Sequence, residues 1–203
     1  MSPNLSNKVY PRSTFSRLQQ AELAQLWHWR NQPSIRQNMH NSKEISWPEH
    51  QAWFAQLPDS GKTFYIFRQN ERPIGALYFD PVGDCGLEWG CYLGETDVWP
   101  GSGLMLEIAA LDYAAAKPGI SFLHAEVLSF NQSVINMHRL FGYQGCEDKP
   151  CGGQSATSEA QHSEHCVKVF QYKTADWRAK RSQILAKLPK QISAAAEFID
   201  FQD

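Results

Sequence analysis

Residues 98–104 read VWPGSGL, residues 122–128 FLHAEVL and residues 131–143 NQSVINMHRLFGY. The order of these three pieces decides the fold. In the first, Gly101 and Gly103 flank Ser102 just before Leu104, Ile108, Leu111 and Ala115, which recur at helical spacing until Pro118-Gly119 stops them. Glycines at such a connection let successive amides point into one concavity, and the helix start adds its positive end, so the turn suits a pyrophosphate. An ordinary glycine-containing loop is the plainer alternative, and no Lys stands where a Walker loop needs one. The second piece is a strand whose alternation sets His124, Glu126 and Leu128 on one face and Leu123, Ala125 and Val127 on the other. A carboxylate there needs a partner if buried, and none if the strand lies at a solvent-facing edge. In the third piece Asn131 caps a helix that runs to Phe141, Gly142 ends it, and Tyr143 opens another strand.

Upstream, residues 14–18 read as a strand and residues 21–31 (AELAQLWHWRN) as a helix that Pro33 stops. Ser46-Trp47-Pro48-Glu49 starts a second helix, with Ser as cap, Pro in the first turn, and Trp53, Phe54 and Leu57 as its buried face. Three strand-like runs follow, 63–68, 73–80 and 86–93, with turns at Asn70 and Gly83, and Gly90 predicts a bulge or a close approach within the third. Downstream, residues 147–163 form a polar loop, 166–172 a strand and 175–188 a helix, before an acidic tail beyond Lys190. The expected fold class is α/β, mixed and α+β-like: a mostly antiparallel sheet splayed at a bulged strand, with helices on both faces.

The chain has 203 residues, 42% of them hydrophobic, and a net charge of −2, which predicts one domain over 1–203, ending in a helix and acidic tail from about 174. No basic surface draws it to nucleic acid or anionic membrane. The N-terminal 18 residues lack an apolar run, and Ile108 to Ala116 is too short to span a bilayer. Five irregularly spaced cysteines suit reduced thiols, so a cytoplasmic location is expected. Cys151, His162, His165 and Cys166 lack zinc-ligand spacing, so no metal is expected.

Taken together, the glycine turn, the helix, the strand ending Glu-Val-Leu and the run from Asn131 through His138 to Gly142-Tyr143 resemble the GNAT acetyltransferase pattern. The resemblance implies acetyl-CoA as cosubstrate. It gives Gly101, Ser102, Gly103 and Leu104 the phosphates, Tyr92 and Leu93 the pantetheine-facing strand, and Asn131 a cofactor contact. Val98 stands where Arg or Gln is usual, which removes a side-chain contact and leaves the backbone amides. His138 stands where a Tyr commonly acts as general acid. Transfer from a thioester to an amine needs a base for the ammonium proton and an acid for the departing thiolate. Family members with the same twelve-residue interval from Glu126 to His138 use that pair, so Glu126 is the expected base, with Glu88 as rival. His138 serves as acid either as imidazolium or through its neutral N–H. A core histidine, with water protonating the thiolate, is the alternative.

Trp29-Arg30-Asn31, Ile35-Arg36, Met39-His40-Asn41, Ile45 and His50-x-x-Trp53-Phe54 are similar to a segment of N-acetyltransferases acting on nucleotide-linked 4-amino-4,6-dideoxy sugars in pseudaminic acid synthesis. That likeness implies a nucleotide-sugar acceptor, whose diphosphate calls for cations and whose base and sugar call for aromatic surfaces. Arg30, Arg36, Met39, His50 and Trp53 supply both. Trp29, Met39 and Trp53 as core side chains are the alternative. Ribosomal-protein N-terminal acetyltransferases share part of the pattern, and a catalytically silent acyl-CoA sensor also fits the changes at Val98 and His138. Whether the chain forms a homodimer is open.

Overall fold

The structure is a computed structural model and describes residues 10–149 and 166–202. Its elements are β1 (Ser13–Arg17), α1 (Leu23–Asn31), α2 (Pro33–Arg36), α3 (Trp47–Gln56), β2 (Thr63–Gln69), β3 (Arg72–Val82), β4 (Gly86–Leu93) and α4 (Ser102–Ala116). They continue with β5 (Phe122–Leu128), α5 (Gln132–Phe141), β6 (Gln144–Gly145), β7 (Val167–Lys173), α6 (Thr174–Leu185), α7 (Lys190–Ala195) and β8 (Ile199–Gln202). The strands form one sheet in the order β6-β7-β5-β4-β3-β2-β1-β8. It is antiparallel except where β4 meets β5 and where β8 meets β1.

Helices cover both faces, and β2 shows why its sequence TFYIFRQ is apolar almost throughout. Tyr65 and Phe67 join the larger core, built on α4, α6 and α7, while Phe64 and Ile66 join a smaller one under α1 with Leu26 and Trp29. A strand buried on both faces loses the polar half of its alternation. Helix α4 is likewise apolar around nearly its whole circumference, and its two acids are the exceptions. Asp112 accepts from Trp177 Nε1 at 2.7 Å and from Arg181 Nε and NH2 at 2.8 and 3.0 Å, tying α4 to α6.

Local signals set most boundaries. Ser46 and Glu49 form a reciprocal capping box at α3, with Pro48 in the first turn. Asn131 caps α5 through Val134 N–H, and Gly142 ends it in the left-handed region at φ 94°.

The structure corrects the sequence expectations at several points. Pro33 does not merely stop α1; it opens α2, where its missing N–H costs nothing. Trp53, Phe54 and Leu57 are only partly buried, and His50 is the buried residue of α3. The acidic tail is α7 followed by β8, which pairs in parallel with β1 and stacks Phe201 on Phe15 at 4.8 Å.

Gly90 makes no bulge, since β4 pairs with β3 in unbroken register, with Tyr78 directly opposite Gly90. A Cβ at Gly90 would overlap the Tyr78 ring, so close approach is the reason for glycine there. The register shift lies instead between Phe67 and Arg68. The sheet still opens where expected, because β4 and β5 pair only from Gly86/Phe122 to Glu88/His124.

Candidate active site

Beyond Glu88 and His124 the two parallel strands part, which leaves the β5-facing edge of β4 without a strand partner from Trp89 to Leu93. A cleft of about 300 Å³ fills the gap, and Glu88, Cys91, Tyr92, Glu126, Asn131 and His138 line it. A second pocket of about 340 Å³ lies beside it, lined by Arg30, His50, Trp53, Lys62, Phe64 and Tyr78. Met39, His40, Tyr78 and Tyr92 belong to both. The two cavities therefore share a wall.

Glu126 lines the first cleft and contacts that wall through His40. Its Oε2 is 3.3 Å from His40 Nε2, and its Oε1 bonds Lys149 Nζ, whose side chain is 61% exposed. Glu88 is the second acid of the cleft. Burial first, and then the charge of Glu126, push its carboxyl up from the ordinary range. Two carboxylates in unlike surroundings make an acid-base pair in which one keeps its proton more readily than the other.

His138 is nearly enclosed. Its ring packs against Trp89, Tyr143 and Phe170 at centroid distances of 5.8, 4.6 and 5.3 Å. Its Nδ1 lies 3.1 Å from Oε2 of Glu107, a carboxylate with no exposure to solvent. It nevertheless forms part of the cleft wall. The side chain is thus a core histidine that also borders the cleft.

The turn before α4 divides the residues predicted to meet phosphate. Ser102 is buried, and its hydroxyl sits 2.8 Å from Gln69 Oε1 and 2.7 Å from the Trp99 carbonyl, so its single proton is committed inside the protein. Its amide also bonds the Trp99 carbonyl, at 2.9 Å. A Cβ at Gly101 would overlap Trp99 and Ile192, which makes that glycine a packing requirement. Gly103 faces open space, and the amides of Gly103 and Leu104 fall in the first helical turn, where no earlier carbonyl of the helix is available to them. Val98 packs against the core. None of Val98, Gly101, Ser102, Gly103 and Leu104 lines the cleft itself, whereas Tyr92, Leu93 and Asn131 do. Asn131 also spends its Oδ1 on the α5 cap.

In the second pocket His50, Trp53, Phe64 and Tyr78 form a continuous aromatic row. His50 stacks on Trp53 at 5.1 Å, Trp53 meets Phe64 edge-on at 5.2 Å, and Phe64 stacks on Tyr78 at 5.4 Å. His50 Nε2 lies 3.2 Å from the Leu23 carbonyl, and burial lowers its pKa. Tyr78 is pushed up to about 12, chiefly by burial, so it stays a neutral phenol. Arg30 donates through NH2 to the Asn41 carbonyl at 2.7 Å, while its buried NH1 has no partner, and burial lowers its pKa. A half-buried guanidinium with an unmatched nitrogen suits an anionic or carbonyl oxygen. Arg36 is not brought here; it lines neither cavity and lies 3.6 Å from Glu44.

Sequence reading passed over His40, Tyr78, Lys149 and Glu107. His40 lay within the quoted run beside Met39, and Glu107 was visible as the lone acid in the first half of an apolar helix. Tyr78 and Lys149 carried no signal, because only strand pairing brings them here. Cys151, His162, His165 and most of residues 147–163 lie outside the described residues, and Cys166 is an exposed thiol. Among the described residues no three His, Cys, Asp or Glu side chains gather as a metal site, and no helix is long and apolar enough to cross a membrane.

Comparison with known proteins agrees with this geometry. A family model described as an acetyltransferase (GNAT) domain matches residues 12–144. Two strains of Campylobacter jejuni each have a relative named Acetyltransferase PseH, 29% identical over 126 residues, which spans 62% of this chain and 78% of the relative. Spermidine N-acetyltransferase from Vibrio cholerae, solved with CoA and spermine, superposes with a TM-score of 0.69 at 13% identity, over 82% of this chain and 98% of that one. The protein yncA of Salmonella typhimurium, solved with its cofactor acetyl-CoA, does so with a TM-score of 0.61 at 16% identity, over 80% and 94%.

Proposed function

The chain belongs to the GNAT acetyltransferase family, and from that premise we propose that it moves the acetyl group of acetyl-CoA to the 4-amino group of a UDP-linked 4-amino-4,6-dideoxy sugar. That it is an acetyl-CoA-dependent N-acetyltransferase follows from the family and from neighbours of the same fold. The acceptor is the proposal, and the shared wall carries it. A thioester lying along the open edge of β4 sits in the cleft that Glu126 lines, and an amine held in the second pocket meets, in the shared wall, His40, which lies 3.3 Å from Glu126.

The aromatic row from His50 to Tyr78 offers flat apolar surface to a base and a deoxy sugar, and Arg30 offers its unmatched nitrogen to a diphosphate. The kinship with proteins named Acetyltransferase PseH supports the same acceptor class.

In this reading Glu126 takes the ammonium proton. Its contact with Lys149 is exposed and therefore weak, so an arriving ammonium can replace that lysine. The freed amine attacks the acetyl carbonyl carbon, the carbon–sulfur bond breaks, and His138 supplies the proton that the sulfur needs. The pantetheine takes the edge of β4 at Tyr92 and Leu93, with Asn131 across the cleft, and the phosphates take the amides at Gly103 and Leu104.

Two measurements test this. CoA release is followed with acetyl-CoA and a UDP-4-amino-4,6-dideoxy sugar; release well above background is expected. None with the sugar, alongside release with an N-terminal peptide, would move the acceptor to the ribosomal-protein class. CoA release with neither, while acetyl-CoA still raises Tm, would leave a sensor.

The phosphate assignment is tested at Gly103, where a Cβ meets nothing in the free protein. Gly103→Ala should leave Tm unchanged or slightly raised, because alanine favours a helix by about 0.5–1 kcal/mol. It should weaken acetyl-CoA binding about tenfold, the equivalent of about 1.4 kcal/mol. Unchanged affinity by calorimetry would place the phosphates elsewhere.

A further inference from the structure

Glu107 has no evident reason to lie in the middle of a buried apolar helix. It is fully buried, and neither of its carboxylate oxygens has an aligned hydrogen bond. Its sister acid Asp112 is held by Trp177 and Arg181, but among the described residues no Lys or Arg reaches Glu107. Gathered near it are His138 Nδ1, Trp89 Nε1 and the Tyr143 hydroxyl, none in an aligned hydrogen bond, although the Tyr143 phenol lies close enough to Glu107 and Trp89 for each to shift its pKa. A buried carboxylate left uncompensated is strongly unfavourable. Tyr143 faces it as a neutral phenol, and among the described residues the group that can meet it with a positive charge is His138, with Nδ1 at 3.1 Å.

We propose that Glu107 is a positioning residue that keeps His138 protonated and fixes which of its nitrogens serves the reaction. The inference rests on the reading above, in which His138 is the acid of acetyl transfer. Glu107 engages Nδ1, so Nε2 is the nitrogen left to the cleft that the ring lines. As the acetyl carbon bonds to the amine nitrogen and the carbon–sulfur bond breaks, the electron pair stays on sulfur. The Nε2 proton moves to that sulfur and gives the free thiol. Glu126 has by then passed the ammonium proton to solvent, so it can take the second proton that the nitrogen loses as the amide forms, and His138 is reprotonated from solvent. Where the usual family residue is a tyrosine, which needs no partner to be protonated at neutral pH, a histidine needs one, and Glu107 is that partner.

The groups facing His138 single out Glu107 as the source of charge. From α4 comes Glu107 itself. From β4 come Trp89 and the Cys91 thiol, which burial and Glu107 push up. From the segment after α5 comes Tyr143, raised well above the ordinary range first by burial and then by Glu107. From β7 comes Phe170, and Glu88 and Glu126 line the same cleft further along. Neither Cys91 nor Tyr143 ionises near neutrality in such surroundings.

The test follows the His138 imidazole by NMR and the alkaline limb of kcat/KM in the full chain. In the unaltered protein His138 should remain protonated at pH 7. In Glu107→Gln its titration and the alkaline limb should both move down by about one pH unit or more, as loss of an adjacent opposite charge requires. Glu107→Asp should recover part of the shift. In a His138→Tyr background, adding Glu107→Gln should leave the alkaline limb where the tyrosine puts it. A neutral His138 at pH 7 in the unaltered protein, or an unmoved titration in folded Glu107→Gln, would overturn the proposal. Should Glu107→Gln fail to fold, the titration of the unaltered protein decides alone. A protonated His138 in a protein that acetylates no amine would instead sink the acetyl-transfer reading and leave the buried pair standing.

Discussion

Glu126→Gln should lower kcat about 10²–10⁴-fold, the usual contribution of a positioned proton acceptor, while acetyl-CoA binding stays within about twofold. The amide keeps the shape of the carboxylate and can still accept from Lys149, so the loss reports proton transfer and not collapse of the cleft. Glu88→Gln is the necessary comparison. Glu88 has its carboxyl raised by burial and by Glu126, so it takes up its proton above the ordinary carboxylate range as pH falls. A neutral Glu88 puts no charge beside Glu126 on the acid limb, so Glu88→Gln should leave the acid limb of kcat close to its place, with a modest change on the plateau. A plateau loss in Glu88→Gln larger than that in Glu126→Gln would reverse the two assignments. Equal losses would mean that the pair acts as one unit, in which single deletions are not additive.

Much of the scaffold was legible because its signals are local. Asn131, Gly142, Ser46 and Glu49 fix helix ends through hydrogen bonds or backbone angles that a few neighbouring residues determine, and those ends fell where the spacing placed them. The splay between β4 and β5 was legible in its place and not in its cause. A lone glycine in a strand reads equally as a bulge or as a close approach, and only the partner strand says which; here Tyr78 lies across Gly90. The end of the chain was missed for a related reason. Residues 199–202, IDFQ, are too short to show a strand period, and they are a strand because Phe15, Tyr65 and Tyr113 offer Phe201 an aromatic site.

The site divides along the same line. Glu126 and His138 were located on one strand and one helix by spacing, and both line the cleft. Their contacts with His40, Lys149 and Glu107 were not legible, because those residues arrive from other elements. The pattern at Arg30, Arg36, Met39, His50 and Trp53 mixed two kinds of residue. Arg30, Met39, His50 and Trp53 line the second pocket, whereas Arg36 lies beside Glu44. Sequence spacing on short helices cannot tell these apart, since α2 makes barely one turn and its direction is set by how it packs.

Trp29→Ala should be the most destabilising single change in that segment, costing about 3–5 kcal/mol, or about 6–20 °C in Tm for a chain of this size. Trp29 belongs to the same tryptophan-arginine-asparagine motif as Arg30, yet it does a different job. It is 1% exposed, it anchors the smaller core with Leu26 and Ile66, and its Nε1 donates to Glu95 Oε1 at 2.9 Å. Its ring lies over Gly94, where any Cβ would overlap it, so the indole and the glycine are fitted to one another just beyond the end of β4. Removing the indole therefore empties a cavity under α1 and releases the carboxylate of Glu95. It also loosens the end of the strand along which pantetheine is proposed to lie. Arg30→Ala should behave in the opposite way, with a much smaller change in Tm and a raised KM for the acceptor, because inside the protein it gives up one exposed hydrogen bond, to the Asn41 carbonyl, and its NH1 has no partner to lose. Urea unfolding separates the two. A stability loss below about 1 kcal/mol in Trp29→Ala would be too small for a buried tryptophan, and the indole would then have to be counted among the acceptor-binding surfaces.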